Sequence, residues 1–242
     1  MVGGHLDAAG AGVSRTPRPA HSRTEIALAC VRVADAEGID AVSMRRVAAE
    51  LGTGTTSLYR YVSSKDDLYD VMVDAVLGEE QLPIPTGYWV EDLRQLASWK
   101  RARFVRHPWM ATVSGRPAVG PCGLVVQERS LRAVDGLQLP IDEMYIIAEA
   151  LDAYVQGFAM REVAEQWAIQ RSGLDAEAWM DAHAAYAQAV MASGDFPLIS
   201  RMWLDASEPH AADRAERGFQ HGLDRLLEGF GASIRRSHSP GG

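Results

Sequence analysis

Cysteine is nearly absent. Cys30 and Cys122 are the only two in 242 residues, far apart and without CxxC spacing, so neither a disulfide framework nor a zinc cluster can be built from them. Both read as buried small hydrophobes. Lysine is equally scarce: Lys65 and Lys100 are the only two among 24 Lys+Arg, as a GC-rich coding background would give without any mechanism. No stretch of about 18 uncharged apolar residues occurs, and the N-terminus, whose first charge is Asp7, lacks the apolar core of a signal peptide. A cytoplasmic protein with no membrane partner is expected. HExxH, GxSxG and P-loop motifs are missing too, and Gly52-Thr53-Gly54 has neither the preceding strand nor the third glycine of a dinucleotide loop. An enzyme is therefore disfavoured, and neither cofactor nor metal is expected. Positive charge is in deficit, 24 Lys+Arg against 32 Asp+Glu for a net of -8. That average argues against a generic nucleic-acid coat.

Helical periodicity is abundant. Residues 1–21, with Gly3, Gly4, Gly10, Gly12, Pro17 and Pro19 among small residues, have too little apolar surface to offset ordering entropy and are predicted to be a disordered arm. Ser22-Arg23-Thr24-Glu25 is a capping box, followed by Ile26, Ala29, Cys30, Val33 and Ala34 at helical spacing, with Gly38 as the stop. Ser43 can cap a second helix ending before Gly52, a third runs from Thr55 to Tyr61, and Ser64 caps a fourth with Asp66 and Asp67 in its first turn. After Pro83 and Pro85, helical patterns cover Trp89 to Arg106, Leu124 to Val134, Ile141 to about Gln170, Ala176 to Ala192 and Ala211 to Phe230. Residues 235–242 are predicted to be a disordered tail. No segment reads as a period-2 strand, so the fold class is all-α: an N-terminal helix-turn-helix domain over 22–78, then a larger helical domain over 79–234.

Two short helices around Gly52-Thr53-Gly54 make a helix-turn-helix candidate. The second is rich in hydrogen-bonding side chains, Thr55, Thr56, Ser57, Tyr59, Arg60 and Tyr61, with only Leu58 and Val62 as strong apolar anchors. Short hydroxyls at its start suit base edges in a major groove, Tyr59, Tyr61 and Lys65 suit phosphate oxygens, and Arg45 suits a guanine or a phosphate. A solvated polar helix is the competing reading. Charge favours DNA: residues 41–65 carry Arg45, Arg46, Arg60 and Lys65 against Glu50 alone, and the net of -8 divides into +2 over residues 1–65 and -10 over the rest.

Ala41-Val42-Ser43-Met44-Arg45-Arg46-Val47-Ala48, Leu51-Gly52 and the run from Ser57 to Leu68 resemble the DNA-binding domain of the TetR family of transcriptional regulators. Arg106-His107-Pro108-Trp109, Gly115-Arg116-Pro117 and Phe219 to Leu227 resemble strings of the subgroup nearest the tetracycline repressor. The resemblance implies a homodimeric repressor, released from a palindromic double-stranded DNA operator by a small-molecule effector. An activator or an effector-independent dimeric DNA-binding protein is the alternative. Carried over by position, DNA contacts fall on Arg45, Thr55, Thr56, Ser57, Tyr59, Tyr61 and Lys65. Thr55 and Thr56 depart from the tetracycline repressor, so its operator does not transfer.

The resemblance also implies an effector pocket in the larger domain, where all six tryptophans lie. Phe104, His107, Trp109, Met110, Met144, Tyr154, Phe158 and Trp179 are the lining candidates. Positions matching the tetracycline–magnesium ligands fall near Gln81 and Ser114, neither of them histidine, which argues against that effector. The two long helices are expected to build a four-helix dimer interface, with Phe219, Gly222, Leu223, Leu226, Leu227 and Phe230 on its apolar stripe; in a monomer the same stripe would be core.

Overall fold

The computed structural model describes residues 21–113, 120–174, 176–207 and 213–238, and every regular element among them is helical. Local capping sets the first four helices. Ser22 Oγ accepts from Glu25 N at 3.1 Å while Glu25 returns the bond to Ser22 N at 2.7 Å, opening α1 (Arg23–Glu37). Gly38, at φ +86°, turns the chain out of it. Ser43 Oγ accepts from Arg46 N to start α2 (Met44–Glu50), and Gly52, at φ +64°, makes the turn into α3 (Thr55–Leu58). Ser64 Oγ caps α4 (Lys65–Leu77) at Asp67 N. Ile26, Cys30, Val33, Val47, Leu58, Val62, Leu68 and Met72 are buried together as the core of this head. Burial pushes the Cys30 thiol up to about 12, consistent with an inert packing residue. Cys122 is half-buried rather than buried.

The body comprises α5 (Trp89–Arg106), α6 (Met110–Val113), α7 (Pro121–Arg132), α8 (Ile141–Ser172), α9 (Ala176–Ser193), α10 (Pro197–Asp205) and α11 (Arg214–His238). Helix α5 packs along α8, which also contacts α6, α7 and α11. Helix α4 is shared, lying against α1 on one side and α7 on the other. At the second contact the Asp74 carboxylate accepts from Gly123 N at 2.9 Å, near the N-terminus of α7. A Cβ on Gly120 would fall 2.1 Å from Asp74, so glycine permits this approach.

Four elements differ from the sequence reading. Helix α3 is one turn ending at Leu58, where a helix to Tyr61 is expected. Helix α6 is a single turn, too short to show a period. Helix α10 is nine residues long with Leu198, Ile199, Met202 and Leu204 all exposed, so among the described residues its apolar pattern joins no intrachain core. Helix α11 runs on through Arg235–His238, where the sequence predicts a disordered tail, and Ile234 packs back on the core. Residues 1–20 of the expected arm and 239–242 of the tail lie outside the described residues.

Candidate nucleic-acid interface

Two anchors orient the short recognition helix. Leu58 is fully buried and Val62 is 2% exposed, so α3 and the turn after it are pinned by one edge. The backbone is tied as well: Thr53 N donates to Ala48 O at 2.9 Å and Val62 N to Leu58 O at 3.1 Å. With that edge held inward, Thr56, Ser57, Tyr59 and Arg60 are exposed and Thr55 is half-buried. Tyr59 is 58% exposed, so its ring and hydroxyl are accessible from outside the head. Tyr61 is half-buried and packs on the head core, so only part of it remains to reach a backbone phosphate. Lys65, exposed at the start of α4, has its Nζ 5.4 Å from the centre of the Tyr69 ring.

The adjacent arginines of α2 divide their work. Arg46 bonds Glu37 Oε1 through Nε at 3.0 Å and Glu50 Oε2 through Nη1 at 3.1 Å, clamping α1 to α2. Glu50 also receives Arg32 at 3.3 Å. Arg46 holds the Glu37 carboxyl below the ordinary glutamate range, and Arg32 with Arg46 does the same for Glu50. Arg45 is exposed and makes no ion pair with a described residue. Cancelling Arg32 and Arg46 against Glu37 and Glu50 leaves Arg45, Arg60 and Lys65 as the cations of this face, so the positive field survives in a set different from the one counted along the sequence.

Beneath the head lies a cavity of about 560 Å³ bounded by α4, α5, α6, α7 and α8. Tyr69, Val73 and Leu77 of α4 form one wall; Phe104, Met110, Val126 and Leu131 supply apolar surface; Lys100, Arg103, Ser130 and Asp152 bring polar atoms. Of the expected lining residues, Phe104 and Met110 are there. Of the others, His107, Trp109, Met144, Tyr154 and Phe158 pack elsewhere. His107 is 4% exposed and sits between two carboxylates, Nδ1 2.8 Å from Asp35 and Nε2 3.0 Å from Glu79, while Trp109 Nε1 donates to the same Asp35 oxygen at 2.7 Å. These residues tie the start of the body to α1. Met144 is buried in the main core. Tyr154 donates from its hydroxyl to Phe219 O at 2.6 Å and stacks on the Phe219 ring, which Phe158 meets edge-on. Both join α8 to α11. The side chain of Trp179, and Ser114 to Pro117, lie outside the described residues.

The stripe expected at a subunit interface also turns inward. Phe219 and Leu223 are fully buried and Leu227 is 2% exposed within the single chain. A Cβ on Gly222 would fall 2.4 Å from the Tyr154 hydroxyl, so that glycine admits α8 of the same chain rather than a partner. Leu226 and Phe230 are half-buried on this core. Sequence reasoning missed the polar cavity residues. Lys100 carried the one available signal, as one of two lysines, set between Trp99 and Phe104 on an otherwise arginine-rich helix.

Comparison with known proteins agrees with this architecture. The family model described as bacterial regulatory proteins, tetR family, matches residues 26–72, and that of the tetracyclin repressor-like C-terminal domain matches 82–234. The transcriptional repressor DrrR1 of Streptomyces coeruleorubidus is 38% identical over 221 residues, covering 90% of this chain and 80% of that protein. The class E tetracycline repressor protein of Escherichia coli is 23% identical over 210 residues, covering 85% and 89%. Apo ActR of Streptomyces coelicolor superposes with a TM-score of 0.75 at 27% identity, covering 91% of this chain and 99% of that one. The ActR complex with actinorhodin gives 0.74 at 28% identity, covering 89% and 98%. The matched segments span head and body alike, and the chain belongs to the TetR family of bacterial transcriptional regulators.

Proposed function

We propose that this chain is a homodimeric repressor that leaves a two-fold symmetric operator when a small molecule occupies the cavity. The observation that carries the reading is the double membership of α4. Its first residue, Lys65, stands on the exposed basic face, and Tyr69, Val73 and Leu77 wall the cavity. An occupant with different affinity for two positions of α4 would shift their populations, and the recognition helices with them. ActR, which shares the fold at 28% identity, has a structure with actinorhodin and a second with (S)-DNPA, which supports a small organic molecule as the effector here.

In this reading residues 22–78 form the DNA-binding unit and 79–234 the effector-binding and dimerisation unit. Ser57, Thr55 and Thr56 face base edges, and Arg45, Tyr59, Tyr61 and Lys65 hold phosphates. Because Phe219, Leu223 and Leu227 are intrachain core, the dimer forms on the outward side of α8, where Ile146, Gly157, Met160 and Ala164 are exposed at spacings of 11, 14 and 18 residues. The exposed apolar side chains of α10 support a second copy lying over this region.

Selection from a random duplex library tests the proposal. The expected product is a two-fold symmetric sequence with half-sites about 34 Å apart, bound by two chains. Failure to enrich any sequence, or one chain per selected duplex, would overturn it.

A further inference from the structure

The cavity is donor-rich on its α5 side. Lys100 and Arg103, three residues apart, are 9% and 2% exposed and both line it. Lys100 Nζ donates to Ser130 Oγ at 3.1 Å and to Asp152 Oδ1, which uses two of the three hydrogens of an ammonium. Arg103 lies over the Trp99 ring at 3.1 Å, donates to Trp99 O and reaches Glu80 at 3.2 Å, yet its buried Nε has no hydrogen-bond partner among the described residues. The inventory is therefore short of an acceptor, and a buried donor without one is costly. The carboxylates of the lining are placed differently. Asp152 and Glu149 are exposed, and Asp70 and Asp74 are half-buried, Asp74 already bonded by Gly123 N. Asp152 and Glu149 keep contact with solvent while the cations do not.

The geometry points to Lys100 as the specificity-determining residue of the cavity, donating from Nζ to an anionic oxygen carried on an apolar ring system. This assignment rests on the cavity being the effector site. Phe104, Met110 and Leu131 supply apolar wall for the rings, and Ser130, itself bonded to Val126 O at 3.1 Å, holds the ammonium in place. Asp152 is the resident counter-charge. Its side chain is 49% exposed, so an incoming anion can take over the ammonium and leave Asp152 to water, a far smaller penalty than stranding a buried carboxylate.

Two fluorescent probes differing only in charge test this: 1-anilinonaphthalene-8-sulfonate, and N-phenyl-1-naphthylamine, the same rings without the sulfonate. Binding is titrated to the full-length protein through energy transfer from its tryptophans. Gln127→Trp, at an exposed position of the lining, is expected to block both probes. Lys100→Met is expected to weaken the sulfonate about tenfold and to leave the neutral probe within about twofold. Asp152→Asn, which removes the competing charge at a solvated position, is expected to tighten the sulfonate several-fold. Opposite effects of the two substitutions are the signature, because a merely structural ion pair would make both variants bind more weakly or leave both unchanged. If Gln127→Trp abolishes both probes while Lys100→Met leaves the sulfonate unaffected, the cavity stands and the assignment of Lys100 fails. If Gln127→Trp changes neither probe, the cavity reading fails and the assignment with it.

Discussion

The head and the body differ in where their function is encoded. In the head, each feature that positions a DNA-facing side chain is local: Ser22, Ser43 and Ser64 cap helices within three residues of themselves, Gly52 makes the turn, and Leu58 and Val62 pin one edge of α3. In the body, side chains are positioned by partners far away in sequence. Tyr154 meets Phe219 65 residues on, and Lys100 meets Asp152 52 residues on. A site built from short-range contacts is visible in a sequence; one built from helix–helix packing is not.

The strongest way to break that comparison is to remove a head anchor. Leu58→Ala deletes a fully buried side chain and is expected to cost about 3 kcal/mol, read as a lowered urea midpoint, with DNA affinity lost in proportion to the head unfolded. An unchanged midpoint would mean α3 is not pinned as described. Next in size is the polar tie in the body. Tyr154→Phe removes a 2.6 Å bond to Phe219 O and should cost about 1 kcal/mol of stability while leaving probe binding in the cavity unchanged. Loss of probe affinity without loss of stability would return Tyr154 to the pocket.

The paired arginines sharpen the comparison within the head. Arg45→Ala should weaken DNA binding and reduce its salt slope by about 1. Arg46→Ala should change that slope less, because its guanidinium is held by Glu37 and Glu50. Equal slopes for the two variants would show that the clamp opens on DNA. The smallest effect is on acid stability. Glu37 and Glu50 have folded-state values depressed below the ordinary 4.5 by Arg46 and Arg32. Their contribution is present above 4.5 and is lost as the pH falls through the depressed values. The stability difference between wild type and Arg46→Ala should therefore shrink on acidification; a constant difference would locate the role of Arg46 elsewhere.

Particular residues show what was legible. The all-α class, the helix-turn-helix and the exposed row Thr56, Ser57, Tyr59 follow from capping residues and from one short helix with too few apolar anchors to be core. His107 and Trp109 looked like pocket residues because rings near an Arg-His-Pro-Trp string could face either way. Only the fold brings Asp35, 72 residues earlier, to His107 Nδ1. Phe219, Leu223 and Leu227 form a stripe expected at the dimer interface, and the position of α8 buries them in the core of the single chain instead. Lys100 was dismissed with the rest of the base composition, since a lone lysine acquires meaning only when Ser130 and Asp152 are placed beside it.

If α3 reads bases while Lys65 and its neighbours hold the backbone, repeating the duplex selection with Ser57→Ala and with Lys65→Ala separates the two roles. Ser57→Ala is expected to alter the preferred base at a defined position of each half-site, whereas Lys65→Ala returns the wild-type sequence at lower affinity. Recovery of the wild-type sequence with Ser57→Ala, and again with Thr55→Ala and Thr56→Ala, would contradict base reading by α3.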